Sequence, residues 1–409
     1  MEIRPILSAM RRNKVGAVLI ALQMAVTLAI LCNGLFIVEQ RLSLSERPSG
    51  LDEANVFVLT NQWVGNPADL KARTQSDVAA LRSLPGVVAA TVTNSYPMSH
   101  GGSSEGVKLN PDQKESTATT ALYFVDEQGL RTMGVKLIAG RNFNADEVMD
   151  KAGFDIQVPP TAIIITRLLA EKLFPGQNAL GKSVYVQFQK HLVPIVGIVD
   201  RLQVPWVQGD SWAAGFSENS TIEPYHFFAN YSHYMIRTQP GRLASVIQEA
   251  QKQLYELSRA RVLEKAVPML EARREAYKDD RGLAIILIVV CTALLAVTAF
   301  GIVGLTSYWV AQRRRQIGIR RALGATRNAI IQYFQTENFM IAISGAVVGV
   351  ALAVSLNLWM VSSFSMARLQ TGYAFIGAAV VLLLGQAAVL WPAIKAASIP
   401  PALATRGGA

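Results

Sequence analysis

The chain of 409 residues is 51% hydrophobic and only 17% charged, and it carries a formal net charge of +10. With 30 glycines and 2 cysteines it fits no collagen-like, disordered or disulfide-scaffold class, and a wholly soluble chain is at odds with its positive mean hydropathy of +0.27. Four windows, residues 15–38, 282–312, 338–367 and 369–394, hold no Asp, Glu, Lys or Arg over 24, 31, 30 and 26 residues, each longer than the roughly 20 needed to cross a bilayer. They predict an integral membrane protein with four transmembrane helices.

Residues 1–14 form a basic tail with Arg4, Arg11, Arg12 and Lys14. A signal peptide also has a basic start, but the apolar stretch 15–38 outruns a signal h-region and no small-x-small site flanks Glu39, so it reads as an uncleaved anchor. Residues 39–281 are nearly neutral, with 26 basic and 27 acidic side chains. Outside them lie 13 basic and 2 acidic residues. Arg313, Arg314, Arg315, Arg320, Arg321 and Arg327 fall between spans two and three, Lys395 and Arg406 follow span four, and only Arg368 separates spans three and four. The positive-inside rule then places both termini and residues 313–337 in the cytoplasm, and residues 39–281 and the turn 362–372 outside. The spans proper are set at 15–38, 282–312, 338–361 and 373–394, with a tail at 395–409. The same distribution explains the pI of 9.6 without nucleic acid, because the basic groups are split among juxtamembrane positions and form no stripe. Cys32 and Cys291 both lie inside spans, so the outer segment must be stabilised by burial alone.

The outer segment reads as mixed α and β. Short β-branched runs at 56–60, 87–93, 121–125, 162–166, 184–188 and 193–199 predict strands bounded by Gly, Pro and Asn. Helices are predicted at 76–84 and 167–174, each ending at a Pro-Gly pair, and at 243–257, where Leu243, Val246, Ile247, Ala250 and Leu254 share a face. Residues 268–281 are charged and free of Gly and of Pro after Pro268, and predict a helical stalk running into span two. Two sub-domains suit this length.

Residues 176–183, GQNALGKS, match the G-x-x-x-x-G-K-S phosphate-loop pattern. That loop needs a strand before it and a helix after it, so that backbone N–H groups and a helix N-terminus cradle phosphate. Here the predicted order is helix then strand, and the segment lies outside, so the match is rejected; its glycines shape a turn and Lys182 is solvated. His100, His191, His226 and His233 show no metal-ligand spacing. Residues 95–104, rich in Ser and Gly, lack a nucleophile elbow and read as a flexible loop, a possible contact site for a partner or substrate. No catalytic, cofactor or metal site is expected in this chain.

Small residues mark helix packing in the spans: Gly301 and Gly304 with Ala293, Ala296 and Ala299 in span two, and Gly345 and Gly349 in span three. The polar residues Gln23, Asn33 and Gln386 are expected to find partners inside the bundle. The charge-free windows mark no ion or proton path.

Residues 312–327, QRRRQIGIRRALGATR, resemble the signature of FtsX-like, MacB-type ABC transporter permeases: a basic cluster, a Glu-Ile-Gly-Ile-Arg run and an Ala-Leu-Gly-Ala turn, with Gln316 standing where the family usually has Glu. Further segments are similar to the family in order along the chain: residues 130–146 with Gly134, Gly140 and Arg141, residues 168–182, residues 194–200 and the C-terminal stretch 391–403. The resemblance implies a type VII, mechanotransmission permease with a periplasmic domain at 39–281. That domain would comprise a porter-like unit at about 50–100 and 221–267, an inserted sub-domain at about 101–220 and the stalk. It implies a multi-pass protein of the inner (cytoplasmic) membrane. Its partners would be ABC ATPase subunits carrying ATP and Mg, a second permease as homodimer or paralogue heterodimer, and a membrane-fusion protein with an outer-membrane channel. Because the chain begins 14 residues before span one, the ATPase is expected on a separate subunit. Gln316, Gly318, Arg320, Arg321, Leu323, Gly324, Ala325 and Thr326 would form the ATPase-coupling element, with Arg313, Arg314 and Arg315 at the lipid headgroups. The implied function is export of peptides, antibiotics or similar compounds; the alternatives are lipoprotein release and control of a cell-wall hydrolase.

Overall fold

The computed structural model describes residues 14–65, 67–155, 158–186, 192–207, 214–364 and 367–399. Arg4, Arg11, Arg12, His191, Arg406, the end of the strand predicted at 184–188 and the C-terminal motif beyond residue 399 lie outside the described residues. The chain divides into two compact units, Leu44–Asp279 and a membrane unit of residues 1–43 with 280–409.

Helix α1 (Lys14–Ser45) leads into the outer unit. Strand β1 (Val56–Trp63), helix α2 (Leu70–Ser83) and strand β2 (Val87–Thr93) open it. Then come β3 (Ser103–Lys108), β4 (Ala118–Val125), α3 (Gly129–Met133), β5 (Leu137–Gly140), β6 (Met149–Ala152), β7 (Ile163–Thr166), α4 (Arg167–Leu173), β8 (Ser183–Val186) and β9 (Leu192–Val199). It closes with β10 (Ser220–Phe228), β11 (Tyr231–Thr238), α5 (Leu243–Leu257), β12 (Arg261–Leu263), β13 (Val267–Pro268) and α6 (Met269–Ala276).

The first sheet runs β12-β1-β11-β2, with β13 on β1, and its described pairs are antiparallel. Because β1 and β2 flank β11, and β11 and β12 flank β1, the chain forms two interlocked β-α-β units through α2 and α5. Their helices bury Val78, Leu81, Val246, Ala250 and Leu254 against Phe57, Leu59, Ala90 and Ile236. A buried ion pair ties the layers together: Arg261 donates to both oxygens of Asp77 at 2.7 and 2.9 Å, the Tyr234 hydroxyl donates to Asp77 at 2.6 Å, and the Arg261 guanidinium lies 4.1 Å from the Trp63 ring centre.

The second sheet runs β4-β3-β8-β9-β7-β10 and returns to itself, because β10 also pairs with β4 over Ser220–Pro224. The six strands therefore form a closed ring, with no free edge among them. Strand β6 continues on β10 at Tyr225–Phe228, and β5 pairs with β9. Ile163, Ile165, Val184, Val193 and Ile195 pack with Leu169 and Leu173 of α4.

Several expectations change. The proposed sub-domain boundary at 221 falls inside β10, and the sheets separate between Phe228 and Tyr231, because β10 runs unbroken from the ring to its pairing with β6. The stalk 268–281 is interrupted at Tyr277, and α6 belongs to the body of the domain. Met269, Ala272 and Ala276 lie in its core, and Arg273 bonds both oxygens of Glu53 and the Ser45 carbonyl. The polar loop 95–104 is anchored by His100 N–H to Pro205 O (3.0 Å) and Ser95 Oγ to Gly101 O, with Met98 buried, and its last two residues already belong to β3. Around the phosphate-loop look-alike, α4 precedes and β8 follows, and Gly176 and Gly181 adopt positive φ in the turn. Lys182 is half-buried there, donating to Gln177 and lying 4.4 Å from the Phe174 ring centre. His233 is buried in β11, 3.0 Å from Thr60 Oγ1 and edge-on to Tyr96 and Tyr231, and burial pulls its pKa down to about 4.

The membrane unit contains α1, α7 (Lys278–Gln312), α8 (Arg314–Ala322), α9 (Arg327–Phe364) and α10 (Thr371–Ala397). Four of these, all but α8, are long and apolar enough to span a bilayer. Helix α1 is their centre, with Ile20, Met24, Leu28 and Cys32 fully buried. A Cβ on Gly345 would lie 2.7 Å from the Ala21 carbonyl oxygen, and one on Gly349 2.9 Å from the Leu28 Cβ, so these glycines let α9 approach α1 closely. A Cβ on Gly301 would meet the Gln23 amide at 2.6 Å, whereas one on Gly304 would enter open space among the described residues. Gly377 and Gly385 of α10, which the sequence did not single out, also face α1, at Cys32 and Met24. Gln23 donates to Val297 O and Asn33 to Ala29 O and Ala353 O, but Gln386 Nε2 has no partner among the described residues.

Candidate coupling element

The segment expected as a loop at 313–337 is a short helix, a tight turn and the first turns of α9, which starts at Arg327. Charge-free windows mark the apolar stretch of a helix, and Arg327 and Glu337 are good enough helix residues to extend it beyond that stretch. Arg313 is the hinge between α7 and α8: its N–H bonds Trp309 O at 3.0 Å, and its carbonyl accepts from Ile317 at 2.9 Å.

Helix α8 stops through a Schellman motif. Gly324 has φ of +97°, its N–H bonds Arg321 O at 3.2 Å, and the Ala325 N–H bonds Arg320 O at 3.0 Å. Two residues on, Thr326 caps α9, its Oγ1 accepting from the Ala329 N–H at 3.2 Å. The Leu-Gly-Ala-Thr sequence is thus a helix stop followed at once by a helix start.

Side chains tie this turn to two other helices. Arg313 Nη1 reaches both oxygens of Glu337 on α9 at 3.0 and 2.8 Å, in a pair whose side chains are 13% and 4% exposed. Arg321 Nη1 donates to Ala397 O at 2.9 Å and Ile399 O at 2.8 Å, satisfying carbonyls at the C-terminal end of α10. The Arg320 guanidinium lies 4.9 Å from the Tyr333 ring centre. Ile317 and Gly318 are buried on the inner face of α8. Arg314, Arg315, Gln316 and Ile319 are exposed, and Leu323 is 83% exposed at the tip. Gln316, Ile317, Arg320 and Tyr333 line a cleft of about 30 Å³, close to the share of one water molecule in the liquid. The element is therefore a bracket with an apolar and basic outer edge, and the cleft behind it has room for about one water molecule.

All eight residues expected to couple fall on this bracket, and the structure separates them by task. Gly318, Arg321, Gly324, Ala325 and Thr326 build it, Arg320 lies on Tyr333, and Gln316 and Leu323 face outward. The sequence reading missed Glu337. Its signal was available: it is one of only two acidic residues outside 39–281, placed beside the most basic segment of the chain.

A family profile for the MacB-like periplasmic core domain matches residues 17–280, and one for the FtsX-like permease C-terminal region matches residues 287–401. The chain belongs to the MacB-type permeases. Among curated relatives of this permease, "Macrolide export ATP-binding/permease protein MacB" of Neisseria gonorrhoeae is 29% identical over 253 residues, 60% of this chain and 36% of that one. The protein of the same name from Acinetobacter baylyi is 24% identical over 83% of this chain and 48% of its own length. The permease thus spans between about a third and a half of the curated relatives it matches. The solved periplasmic region of MacB from Actinobacillus actinomycetemcomitans aligns with 55% of this permease and 94% of its own length, at 15% identity and a TM-score of 0.32.

Proposed function

We propose that this permease couples ATP hydrolysis by partner ATPase subunits, which bind ATP and Mg, to movement of its extracytoplasmic domain, driving export of peptides, antibiotics or similar compounds. The permease itself carries out no chemical step. It sits in the inner membrane with both termini cytoplasmic and works as a pair with a second permease, alongside a membrane-fusion protein.

The observation that carries this reading is the bracket at 313–326. Its outer edge offers Ile319 and Leu323 among exposed arginines, the composition of a protein-docking surface. Its inner side is joined to α9 by Arg313 and Glu337, and to α10 by Arg321. A push on Leu323 would reach both helices through short, directional bonds that resist bending.

The test is purification of the tagged permease from native membranes in mild detergent, with partners identified and ATP hydrolysis assayed. Leu323→Glu should lose the ATPase while leaving the permease folded. Gly324→Pro should remove the turn, since proline cannot adopt positive φ. Retention of a fully active ATPase by both variants would sink the reading. A co-purifying periplasmic chaperone or cell-wall hydrolase would replace export with lipoprotein release or wall control.

A further inference from the structure

The outer unit is an uninterrupted insert, Leu44–Asp279, so the chain enters it once and leaves it once. The entering stretch, residues 46–55, holds no helix or strand and contains Pro48, Ser49 and Gly50, the composition of a hinge that would absorb a displacement by rotating φ and ψ. It is bonded instead like part of the core. Ser49 is 1% exposed, and a Cβ on Gly50 would lie 2.1 Å from the Arg201 carbonyl oxygen, so the backbone there is seated directly on residue 201. Asp52 accepts from Arg237 of β11 at 2.9 and 2.7 Å, and its N–H donates to Met133 O at 3.0 Å.

The leaving stretch is tied to the entering one twice. Arg273 of α6 donates to Glu53 from Nε and Nη2 at 2.7 and 2.5 Å, a bidentate pair. From Nη1 it donates at 2.9 Å to the carbonyl of Ser45, the last residue of α1, where a cation also complements the helix dipole. Gln203 is the second tie. Its N–H donates to Ser49 O at 2.8 Å, its Nε2 donates to the Tyr277 hydroxyl at 2.5 Å, and its carbonyl accepts from the Tyr123 hydroxyl of β4 at 2.6 Å. Entering chain, leaving chain and strand ring thus meet on one residue that is 2% exposed. Within the membrane unit, α1 and α7 are joined by Arg41 and Asp280 at 2.7 Å.

We infer that Glu53, Arg273, Gln203 and Tyr277 are positioning residues: they clamp the two connections to each other and to β4, so that α1 and α7 displace the ring as one body instead of bending the chain at 46–55. The inference rests on the coupling reading and names the residues through which its movement enters the outer domain.

The test is hydrogen exchange, read by mass spectrometry, on the full chain in lipid nanodiscs with its co-purified ATPase, without nucleotide and with ATP, Mg and vanadate. In the parent, nucleotide should change exchange in peptides covering residues 45–53, 118–125 and 269–277 together. Arg273→Met should reduce the effect at 118–125 by about fivefold, the lower end of an allosteric coupling, while ATP hydrolysis continues. Arg273→Lys should recover part of it. Tyr277→Phe, which keeps the buried ring and loses only the hydroxyl, should reduce it without unfolding the domain. Val246→Ala thins the core beneath α5, away from both connections, so it should lower stability and keep the full effect. An undiminished effect at 118–125 in both Arg273→Met and Tyr277→Phe, or an equal reduction in Val246→Ala, would overturn the inference. A parent that shows no nucleotide effect and does not stimulate hydrolysis would fail the coupling reading itself, and the inference with it.

Discussion

Breaking the Arg313–Glu337 pair should be among the most costly single changes in the membrane unit. Both side chains are largely buried, and one guanidinium nitrogen holds both carboxylate oxygens within 3.0 Å. Removing one member of a buried pair costs about 3–5 kcal/mol, because the other is left charged and unpaired. The two halves should not be equal. A lone buried guanidinium keeps its donors without the carboxylate that accepted from them, so Glu337→Leu should cost more than Arg313→Met. Replacing both, as Arg313→Met with Glu337→Leu, removes the charges together and should bring stability back to within about 1 kcal/mol of the parent or above it. Unfolding of the four proteins by SDS titration in mixed micelles, followed by circular dichroism, measures the cycle. Single-variant costs below about 1 kcal/mol, the level of an exposed ion pair, would refute the burial argument. A double variant as unstable as the singles would show that the geometry matters more than the charge. The same double variant tests coupling: stable yet unable to stimulate the partner ATPase, it would assign transmission to this pair.

Gly324→Ala should destabilise the membrane unit by roughly 1–2 kcal/mol in the same titration, the cost of a left-handed backbone with a Cβ, with Gly324→Asn milder. Gly345→Val should disrupt the approach of α9 to α1, since even its Cβ would sit 2.7 Å from a backbone oxygen; loss of folded protein on size-exclusion chromatography checks it. His233 supplies a pH dependence. Its pKa is lowered on folding, so between its unfolded value near 6.5 and its folded value of about 4 the unfolded chain binds more protons. Stability of the outer unit should therefore be complete above about pH 6.5 and fall as pH drops towards 4, by at most about 3 kcal/mol. His233→Gln should flatten that part of the profile of unfolding against pH.

What the sequence revealed follows from how local each signal is. The spans were legible because a bilayer requires an unbroken apolar run, and α5 because its apolar residues keep one face. Strand β3, Ser-Ser-Glu-Gly-Val-Lys, was not legible: its residues are mostly polar, and it is a strand because β4 and β8 pair with it. Closure of the ring by β10 on β4 joins residues about a hundred positions apart, and no local pattern announces it. Glu105, Lys151 and Glu223, far apart in the chain, line one cavity of the outer unit only through that topology.

The bracket poses a sharper problem, because a motif with a structural explanation needs no functional one. Gly324 and Thr326 are accounted for by stopping one helix and starting the next, and Arg321 by capping α10. Substituting any of them would impair coupling even if no ATPase ever touched this turn. Leu323 is different: 83% of it faces outward, so it adds little to the fold, and a change there tests docking without disturbing the turn. Gln316, about two helical turns earlier, is exposed and bears no charge for a partner to pair with. Leu323→Glu and Gln316→Glu therefore carry the discriminating information. Both should leave unfolding unchanged to within about 0.5 kcal/mol, as surface substitutions do. If the ATPase docks here, the first should abolish its stimulation; the second, which restores the residue usual in the family, should preserve it. Unchanged stimulation by the Leu323 variant would reduce the whole motif to a helix stop and start.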